Sequence, residues 1–249
     1  GRRMKGNFLK NSYEPFIEHN IFADKSALVL QWLLLDGINK DNFSIREVTR
    51  DRGVSLGLVQ KVFEALTMNG CLNVQGVRTA KKFSLKRPNL LLKNWLQSYS
   101  IVKKCKMRTY RTGFRDRAQL LKALQNFKHC DKVVLALHSA AAAQGYKNSN
   151  LETLELYVMD PNIRSQLEAH LQLEPQERGY EVLLIEPYYK AILNQDTTLQ
   201  EKKTRDVLKS SSILLIFLDL YHFPLRGREQ ADFLAERSEI LKRIYKKGK

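Results

Sequence analysis

The strongest constraint on this chain is a long segment that carries charge of one sign. Between Glu64 and Asp116 there is no acidic residue. Because like charges repel one another in a compact fold, such a segment needs an anionic partner or a well-solvated face. Phosphate backbones are the usual anionic partner, since each neutralised phosphate releases condensed counterions. Twelve basic residues lie in the segment: Arg78, Lys81, Lys82, Lys86, Arg87, Lys93, Lys103, Lys104, Lys106, Arg108, Arg111 and Arg115.

The charge is also divided unevenly between the two halves of the 249-residue chain. Residues 1–125 carry 24 Lys and Arg residues against 9 Asp and Glu, whereas residues 126–249 carry 18 against 17. Only the first half therefore has the excess charge that a polyanion would attract. This asymmetry predicts two domains with different roles.

Composition argues against secreted, metal-binding and membrane classes. The three cysteines (Cys71, Cys105 and Cys130) are odd in number and lack C-x-x-C spacing, which disfavours a disulfide framework or a zinc site. The longest apolar run, residues 213–218, is far shorter than the roughly 18–20 residues that span a bilayer. The N-terminus lacks the apolar core of a signal peptide. We therefore expect a cytoplasmic protein with no membrane partner.

Residues 25–87 predict a winged helix-turn-helix, preceded by an N-terminal arm over residues 1–24. Apolar residues at helical spacing predict helices over 26–35, 45–52 and 56–69. Ser44 and Ser55 are suitable N-caps for the second and third helices, and Asp24 or Ser26 for the first. Gly53 suits the left-handed end of the second helix. Two capped helices joined by a tight glycine-containing turn are typical of DNA-binding proteins.

The third helix resembles the recognition helix of bacterial winged-helix regulators. Val59, Phe63 and Leu66 share one face and are predicted to point into the core. The opposite face, near the start of the helix, is where such helices meet base edges. An ordinary helical hairpin would show the same pattern, but turn, caps and charge together favour DNA binding. The predicted base-contacting residues are Ser55, Leu56, Gly57, Gln60 and Lys61.

Two basic regions follow the predicted recognition helix. Residues 71–85 predict a β-hairpin that turns at Gly76, the wing, and residues 88–125 predict a basic connecting segment. The part from 103 to 117 is predicted to be extended, and to enlarge a duplex-binding face rather than to bind single strands by stacking. The predicted phosphate-contacting residues are Arg78, Lys81, Lys82, Lys86 and Arg87 in and after the wing, and Lys103, Lys104, Lys106, Arg108 and Arg111 in the connecting segment.

Residues 126–249 predict an α+β domain, because strand and helix patterns alternate along them. We interpret this domain as a regulatory or partner-binding module. The predicted strands cover 132–137, 152–159 and 180–185, and the predicted helices cover 138–144, 161–171, 210–223 and 229–245.

Three segments of this half resemble the AbiEi-type regulators, the antitoxins of type IV toxin–antitoxin systems and their stand-alone relatives. They are residues 155–158, 182–188 and 217–231. With the winged helix, the resemblance covers about residues 25–240. It implies a DNA-binding transcriptional regulator, often autoregulatory, whose C-terminal domain resembles a nucleotidyltransferase fold.

The third segment contains a charged turn with two interpretations. Arg226 and Arg228 could pair with Asp219 or Glu229 and fix the angle between two helices. They could instead contact DNA or a partner protein. The sequence leaves both roles open.

The chain lacks the motifs of an enzyme. Active nucleotidyltransferases carry a Gly-Ser loop and an Asp-x-Asp pair that holds Mg²⁺, and neither occurs here. Asp160 follows a predicted strand but has no second aspartate to form an Asp-x-Asp pair. The sequence places no acid beside His138 and Ser139. We therefore expect no enzyme, no cofactor and no metal site. An enzyme acting on nucleic acid is the weakest alternative, with Asp160 as its candidate carboxylate.

The sequence favours a sequence-specific, double-stranded DNA-binding transcriptional regulator. One alternative is an antitoxin that neutralises a nucleotidyltransferase toxin, a role compatible with DNA binding. Another is a non-specific nucleic-acid binder. The apolar segment 208–221 fits either a homodimer interface or a buried core helix.

Overall fold

The structure is a computed structural model that describes residues 20–77, 80–148, 150–201 and 208–245, the side chains of 197–201 excepted. Within these residues the chain forms twelve α-helices and two β-sheets, so the predicted α+β class is confirmed. Most of the predicted N-terminal arm, residues 1–19, lies outside the described residues.

The first five elements are three helices followed by a two-stranded antiparallel hairpin. They are α1 (Asp24–Leu35), α2 (Ile45–Arg52), α3 (Leu56–Met68), β1 (Leu72–Gln75) and β2 (Lys82–Leu85).

Helices α2 and α3 begin at their predicted N-caps. The hydroxyl of Ser44 accepts a hydrogen bond from the backbone N–H of Glu47, and that of Ser55 accepts one from Leu58, both at 3.3 Å. Gly53 ends α2 with a φ of 62°, a left-handed conformation that favours glycine. The caps satisfy N–H groups that have no partner within the helix, and so they fix the turn between α2 and α3.

A continuous chain of aromatic rings joins these helices to the hairpin. Trp32 meets Phe43 edge-on at 5.1 Å, Phe43 meets Phe63 at 5.7 Å, and Phe63 meets Phe83 at 4.7 Å between ring centroids. The backbones of Phe43 and Phe83 also exchange two hydrogen bonds of 2.8 Å. Edge-to-face pairs of this kind stabilise a core beyond their buried area. The hairpin is therefore fixed against α1, α3 and the residues that lead into α2.

The remaining elements form a five-stranded mixed sheet and its helices. The strand order is β4-β5-β7-β3-β6, in which β5 and β7 are parallel and the other neighbours antiparallel. The elements are α4 (Pro88–Ser98), α5 (Ile101–Lys104), β3 (Lys106–Thr112), α6 (Arg117–Gln125), β4 (Val133–Leu135), α7 (Leu137–Ala143), β5 (Leu154–Val158), α8 (Arg164–His170), β6 (Leu173–Pro175), β7 (Val182–Glu186), α9 (Lys190–Glu201), α10 (Ile213–Tyr221), α11 (Gly227–Arg237) and α12 (Glu239–Ile244).

Two regions differ from the sequence prediction. The segment 103–117, predicted to be an extended connection, contains the end of α5, a turn and strand β3, which lies inside the sheet between β7 and β6. The single helix predicted over 229–245 is divided into α11 and α12 at Ser238, whose hydroxyl caps α12 by accepting from Leu241 N–H at 3.4 Å. The sequence also indicates a helix over residues 90–99, which corresponds to α4, whereas elements α5, α6, β6 and α9 have no counterpart in the prediction.

Helix α9 and the residues before it join the two halves of the chain. Asp24, a predicted cap of α1, instead accepts a hydrogen bond from the Ala191 N–H at 2.8 Å, and the N-cap of α1 is Ala23. Gln31 on α1 donates to the carboxylate of Asp196 at 3.2 Å. Burial raises the pKa of Asp196. These polar contacts tie α1 to the second half of the chain.

Helix α10 is the centre of the second half. Residues 214–220 are all buried within the chain, so the apolar segment is a core helix that packs on α7 and α11. Its one carboxylate, Asp219, accepts hydrogen bonds of 2.7 Å from the hydroxyls of Tyr99 and Tyr157. Pairing of Asp219 with Arg226 or Arg228, one of the roles that the sequence left open, does not occur, because the carboxylate accepts from two tyrosines in the core instead.

Burial raises the pKa of Asp219 from 3.8 to about 7, against the lowering effect of the two tyrosine hydrogen bonds. A pKa that is higher in the folded chain means that folding favours the protonated carboxyl. The resulting stabilisation is complete below about pH 4 and is lost as the pH rises to about 7.

We predict that Asp219→Asn removes this pH dependence, because the amide does not ionise. Between about pH 4 and 8 the free energy of unfolding of the wild type should fall relative to that of the variant, by at most about 1.4 kcal/mol per pH unit. Urea denaturation at a series of pH values measures the difference. If the free energy of unfolding changed with pH in the same way for both proteins, the raised pKa assigned to Asp219 would be wrong.

Candidate nucleic-acid interface

A groove of about 770 Å³ lies between α3, the start of α2 and the hairpin. Helix α3 lines it with every fourth residue along one face, from Leu56 through Gln60 and Glu64 to Met68. Because residues four apart stack above one another on a helix, these side chains form a stripe along the whole of α3. The other lining residues are Ser44, Ile45, Arg46, Phe63, Thr67, Val74, Lys81, Lys82 and Phe83.

The predicted base-contacting residues all lie on the exposed side of α3 or at its start. Leu56 and Gln60 line the groove, whereas Lys61 is exposed beside it. Ser55 is the N-cap, so its hydroxyl is already engaged with α3. At Gly57 an added Cβ would meet no atom within 4 Å, so no neighbour within the chain requires glycine there. The predicted core residues Val59, Phe63 and Leu66 are buried, as expected.

Most of the groove residues were not among the predicted contacts, and three of those missed carry charge or extend the stripe on α3. Glu64 and Met68 continue the stripe of Leu56 and Gln60, and Arg46 faces them from α2. The spacing of four residues could have indicated Glu64 and Met68. Gln60 donates its side-chain amide to the Glu64 carboxylate at 2.9 Å.

The hairpin supplies the basic side of the groove. Lys81 and Lys82 are exposed and line it. Arg78 lies outside the described residues. Lys86 is exposed just after β2, while Arg87 donates its Nε to the carbonyl of Gly70 at 2.9 Å. Arg87 therefore ties the end of the hairpin to the end of α3 in addition to carrying charge.

The basic residues of the connecting segment lie elsewhere, on α5 and β3. Lys103 and Lys104 are exposed on α5, and Lys104 lies 5.5 Å from the ring centre of Tyr188. Lys106 and Arg108 line a separate small cleft beside β7 and the start of α8.

Two residues of β3 are paired with acids on neighbouring strands. Lys106 lies 3.7 Å from Glu186 on β7, and Arg111 forms an ion pair with Glu174 on β6. The described residues among the predicted phosphate contacts thus form two sets, and Lys81 and Lys82 of the hairpin set are the ones that line the groove.

In the part of the chain that the structure describes, three basic side chains and one acidic side chain line the groove. Arg46, Lys81 and Lys82 are its cations, and Glu64 is the one carboxylate among the described residues that line it. The nearby Glu47 forms an ion pair of 2.7 Å with Lys40, which raises the pKa of that lysine through the hydrogen bond. Glu47 is not among the lining residues, so the groove face keeps a net positive charge.

The charged turn before α11 is built differently from the prediction. Arg228 stacks on the ring of Tyr221 at 4.0 Å and donates to Asp232 at 3.3 Å and to the Tyr245 hydroxyl at 3.0 Å. It thus pairs with neither Asp219 nor Glu229. Arg226 is exposed and has a φ of 52°, a left-handed conformation that is unusual for a residue with a side chain.

Each of the residues considered for catalysis contacts another residue of the chain. Ser139 donates its hydroxyl to the fully buried carboxylate of Glu155 at 2.6 Å, a pair that the sequence did not indicate. His138 contacts the Leu225 carbonyl through Nε2 at 2.9 Å. Asp160 forms an ion pair with Lys132 at 2.8 Å.

Within the described ranges, no three His, Cys, Asp or Glu side chains are grouped as a metal site, and no helix could cross a membrane.

Comparison with known protein families identifies the class of this chain. Residues 84–240 match the model of a family described as a transcriptional regulator, the AbiEi antitoxin of a type IV TA system. That range is well over half of the 249 residues, so the chain belongs to this family. The resemblance seen in the sequence is confirmed, and its three segments all lie within the matched range. The match begins at residue 84, after α1, α2, α3 and β1. No curated protein and no solved structure matches the chain.

The shape of the groove depends on the aromatic chain, which we propose to test at Phe83. Phe83→Ala removes a buried ring in contact with Phe63, so the free energy of unfolding should fall by about 3–5 kcal/mol. As the matched control, Val77→Ala changes an exposed hairpin residue and should alter stability by no more than about 0.5 kcal/mol. Chemical denaturation measures both. Equal effects of the two changes would show that the ring does not hold the hairpin.

Proposed function

We propose that this chain is a transcriptional regulator that binds double-stranded DNA sequence-selectively through the groove between α3 and the hairpin. The observation that carries the proposal is the stripe of exposed side chains along α3, which faces Lys81 and Lys82 across the groove. Membership of a family of transcriptional regulators supports it independently.

The arrangement of the first five elements supports a winged helix-turn-helix. A capped helix α3 follows α2 after a turn at Gly53, and the β1–β2 hairpin returns to pack on α3 through Phe83. In proteins of this class the second helix of the motif enters the major groove, where base edges differ. Here α3 would be that helix, and residues 25–87 would be the DNA-binding domain.

The chemistry of the groove suits contact with both bases and backbone. Gln60 can exchange hydrogen bonds with a base edge, and Leu56 can contact a thymine methyl group. Lys81 and Lys82 extend from the hairpin and would contact phosphates, which position the protein without reading sequence. Lys61 and Lys86 are exposed nearby and would add to this electrostatic attraction. We also propose that the chain regulates the promoter of its own gene, a role that the sequence resemblance implies.

The second half would be the regulatory or partner-binding module, on a fold related to nucleotidyltransferases. Its mixed sheet, with β5 and β7 parallel, supports that relation. We propose no catalysis, cofactor or metal for it, because the chain has no Gly-Ser pair or Asp-x-Asp pair. The hydroxyl of Ser139 is instead hydrogen-bonded to Glu155.

A second candidate function is neutralisation of a toxin protein. The family match supports it, because the family is described as an antitoxin and the match covers the five-stranded sheet. We propose that Arg226, which is exposed, would contact the partner, since the side chain of Arg228 is engaged with Tyr221, Asp232 and Tyr245. This role is compatible with DNA binding. A toxin gene directly beside the gene for this chain would favour it, whereas an isolated gene would oppose it.

We predict that substitutions on the two sides of the groove change different properties: those on the hairpin change affinity and its salt dependence, and that on α3 changes base preference. Lys81→Ala and Lys82→Ala should each weaken binding to every duplex, and each should reduce the slope of log affinity against log salt by about 0.9. Gln60→Ala should instead reduce the difference in binding free energy between the preferred base and the other bases at one position, by about 1–3 kcal/mol. Salt titrations on labelled duplexes, including the promoter of the gene itself, measure both quantities.

The matched control for charge is Lys122→Ala, which removes one exposed cation from α6 rather than from the hairpin. It should leave the salt slope and base preference unchanged. Equal, sequence-blind effects of Gln60→Ala and Lys81→Ala would contradict the assignment of α3 as the reading helix. Stronger binding to single strands would move the interface to the β3 segment.

A further inference from the structure

We propose that Glu64 determines specificity by accepting a hydrogen bond from the exocyclic amino group of a cytosine. The inference rests on the proposed function and adds a chemical identity for one base in the bound sequence. Glu64 lies in the middle of α3, away from the helix start where the sequence predicted base contacts.

The position of Glu64 puts it on the DNA-facing stripe. It is exposed and lines the groove between Gln60 and Met68. Four helical residues span about 6 Å along the axis. Successive bases of one strand are about 3.4 Å apart. Glu64 would therefore meet a base about two steps from the one that Gln60 meets.

The negative charge of Glu64 means that it can contribute to sequence selectivity but not to general affinity for DNA. Its carboxylate is the single acid among the described lining residues, opposite Lys81 and Lys82. It repels phosphates of any sequence, so it weakens binding to every duplex unless a donor faces it. In the major groove the donors are the amino groups of cytosine and adenine, and cytosine N4 is the usual partner of a carboxylate.

The hydrogen bond from Gln60 holds the carboxylate in place. Gln60 Nε2 donates to one oxygen of Glu64 at 2.9 Å. An ionised carboxylate has about four acceptor positions, so this bond leaves it able to accept from a base. The same bond orients the amide of Gln60. Glu64 could thus act on its own base or only by positioning Gln60, and these two roles predict different results.

The test compares Glu64→Ala with Gln60→Ala in the full chain. Selection from a randomised duplex library, at one fixed salt concentration, gives the base preference at each position. For Glu64→Ala we expect the preference for cytosine at one position to fall by roughly 5- to 150-fold, the factor that corresponds to one good base contact. The affinity for a non-cognate duplex should rise several-fold, because one repulsive charge is gone. The position affected should lie about two base steps from that affected by Gln60→Ala.

Glu47→Ala is the matched control, because it removes a carboxylate from α2 that does not line the groove. It should leave every base preference unchanged. Denaturation midpoints would verify that the exposed changes do not unfold the protein.

Three outcomes would overturn the inference. In the first, Glu64→Ala selects the same sequences as the wild type. In the second, it alters only the position that Gln60→Ala alters, which would make Glu64 a positioning residue. In the third, the wild type shows no preference among duplexes, and then the proposed function fails as well. In the first two outcomes the wild type still prefers particular duplex sequences, so these outcomes do not contradict the proposed function.

Discussion

The packing of Phe83 against Phe63 is the contact on which the groove depends. Phe63 comes from the buried face of α3 and Phe83 from β2, so this pair sets the distance between the helix and the hairpin. Phe43 reinforces it through its ring contact with Phe63 and its two backbone hydrogen bonds to Phe83. Because the buried face of α3 and the stripe from Leu56 to Met68 belong to the same helix, the packing of the core fixes the position of the side chains that face the ligand. A rearranged core would change the width of the groove directly, because Phe63 and Phe83 themselves line it.

The attachment of the first half to the second is polar as well as apolar. Trp95 on α4 donates to the hydroxyl of Tyr189 at 2.8 Å, and that hydroxyl donates to the Phe22 carbonyl at 3.0 Å. Arg52, at the end of α2, exchanges hydrogen bonds with the side chain of Gln195 on α9. Buried polar contacts of this kind need specific geometry, so they fix how the two halves are oriented. The helix that precedes α3 is thus held by residues of the second half.

Local signals in the sequence were sufficient for α2, α3 and the hairpin that follows them. Caps at Ser44 and Ser55, the left-handed Gly53 and the spacing of apolar residues on α3 each depend on a few neighbouring residues. Non-local partners were not predictable in this way. Strand β3 was taken for a connection because its partners β6 and β7 lie some 60–80 residues further along the chain. The tyrosine partners of Asp219 and the pairing of Ser139 with Glu155 were missed for the same reason.

Amide hydrogen exchange, with and without a selected duplex, tests the location of the interface most directly. Our account predicts slower exchange in α3 and in the hairpin residues that line the groove, Val74, Lys81, Lys82 and Phe83, when the duplex binds. Exchange in β3 and α8 should stay as it is in the free protein. Protection confined to β3 and the start of α8, with α3 unchanged, would contradict the account and place the nucleic acid on the sheet.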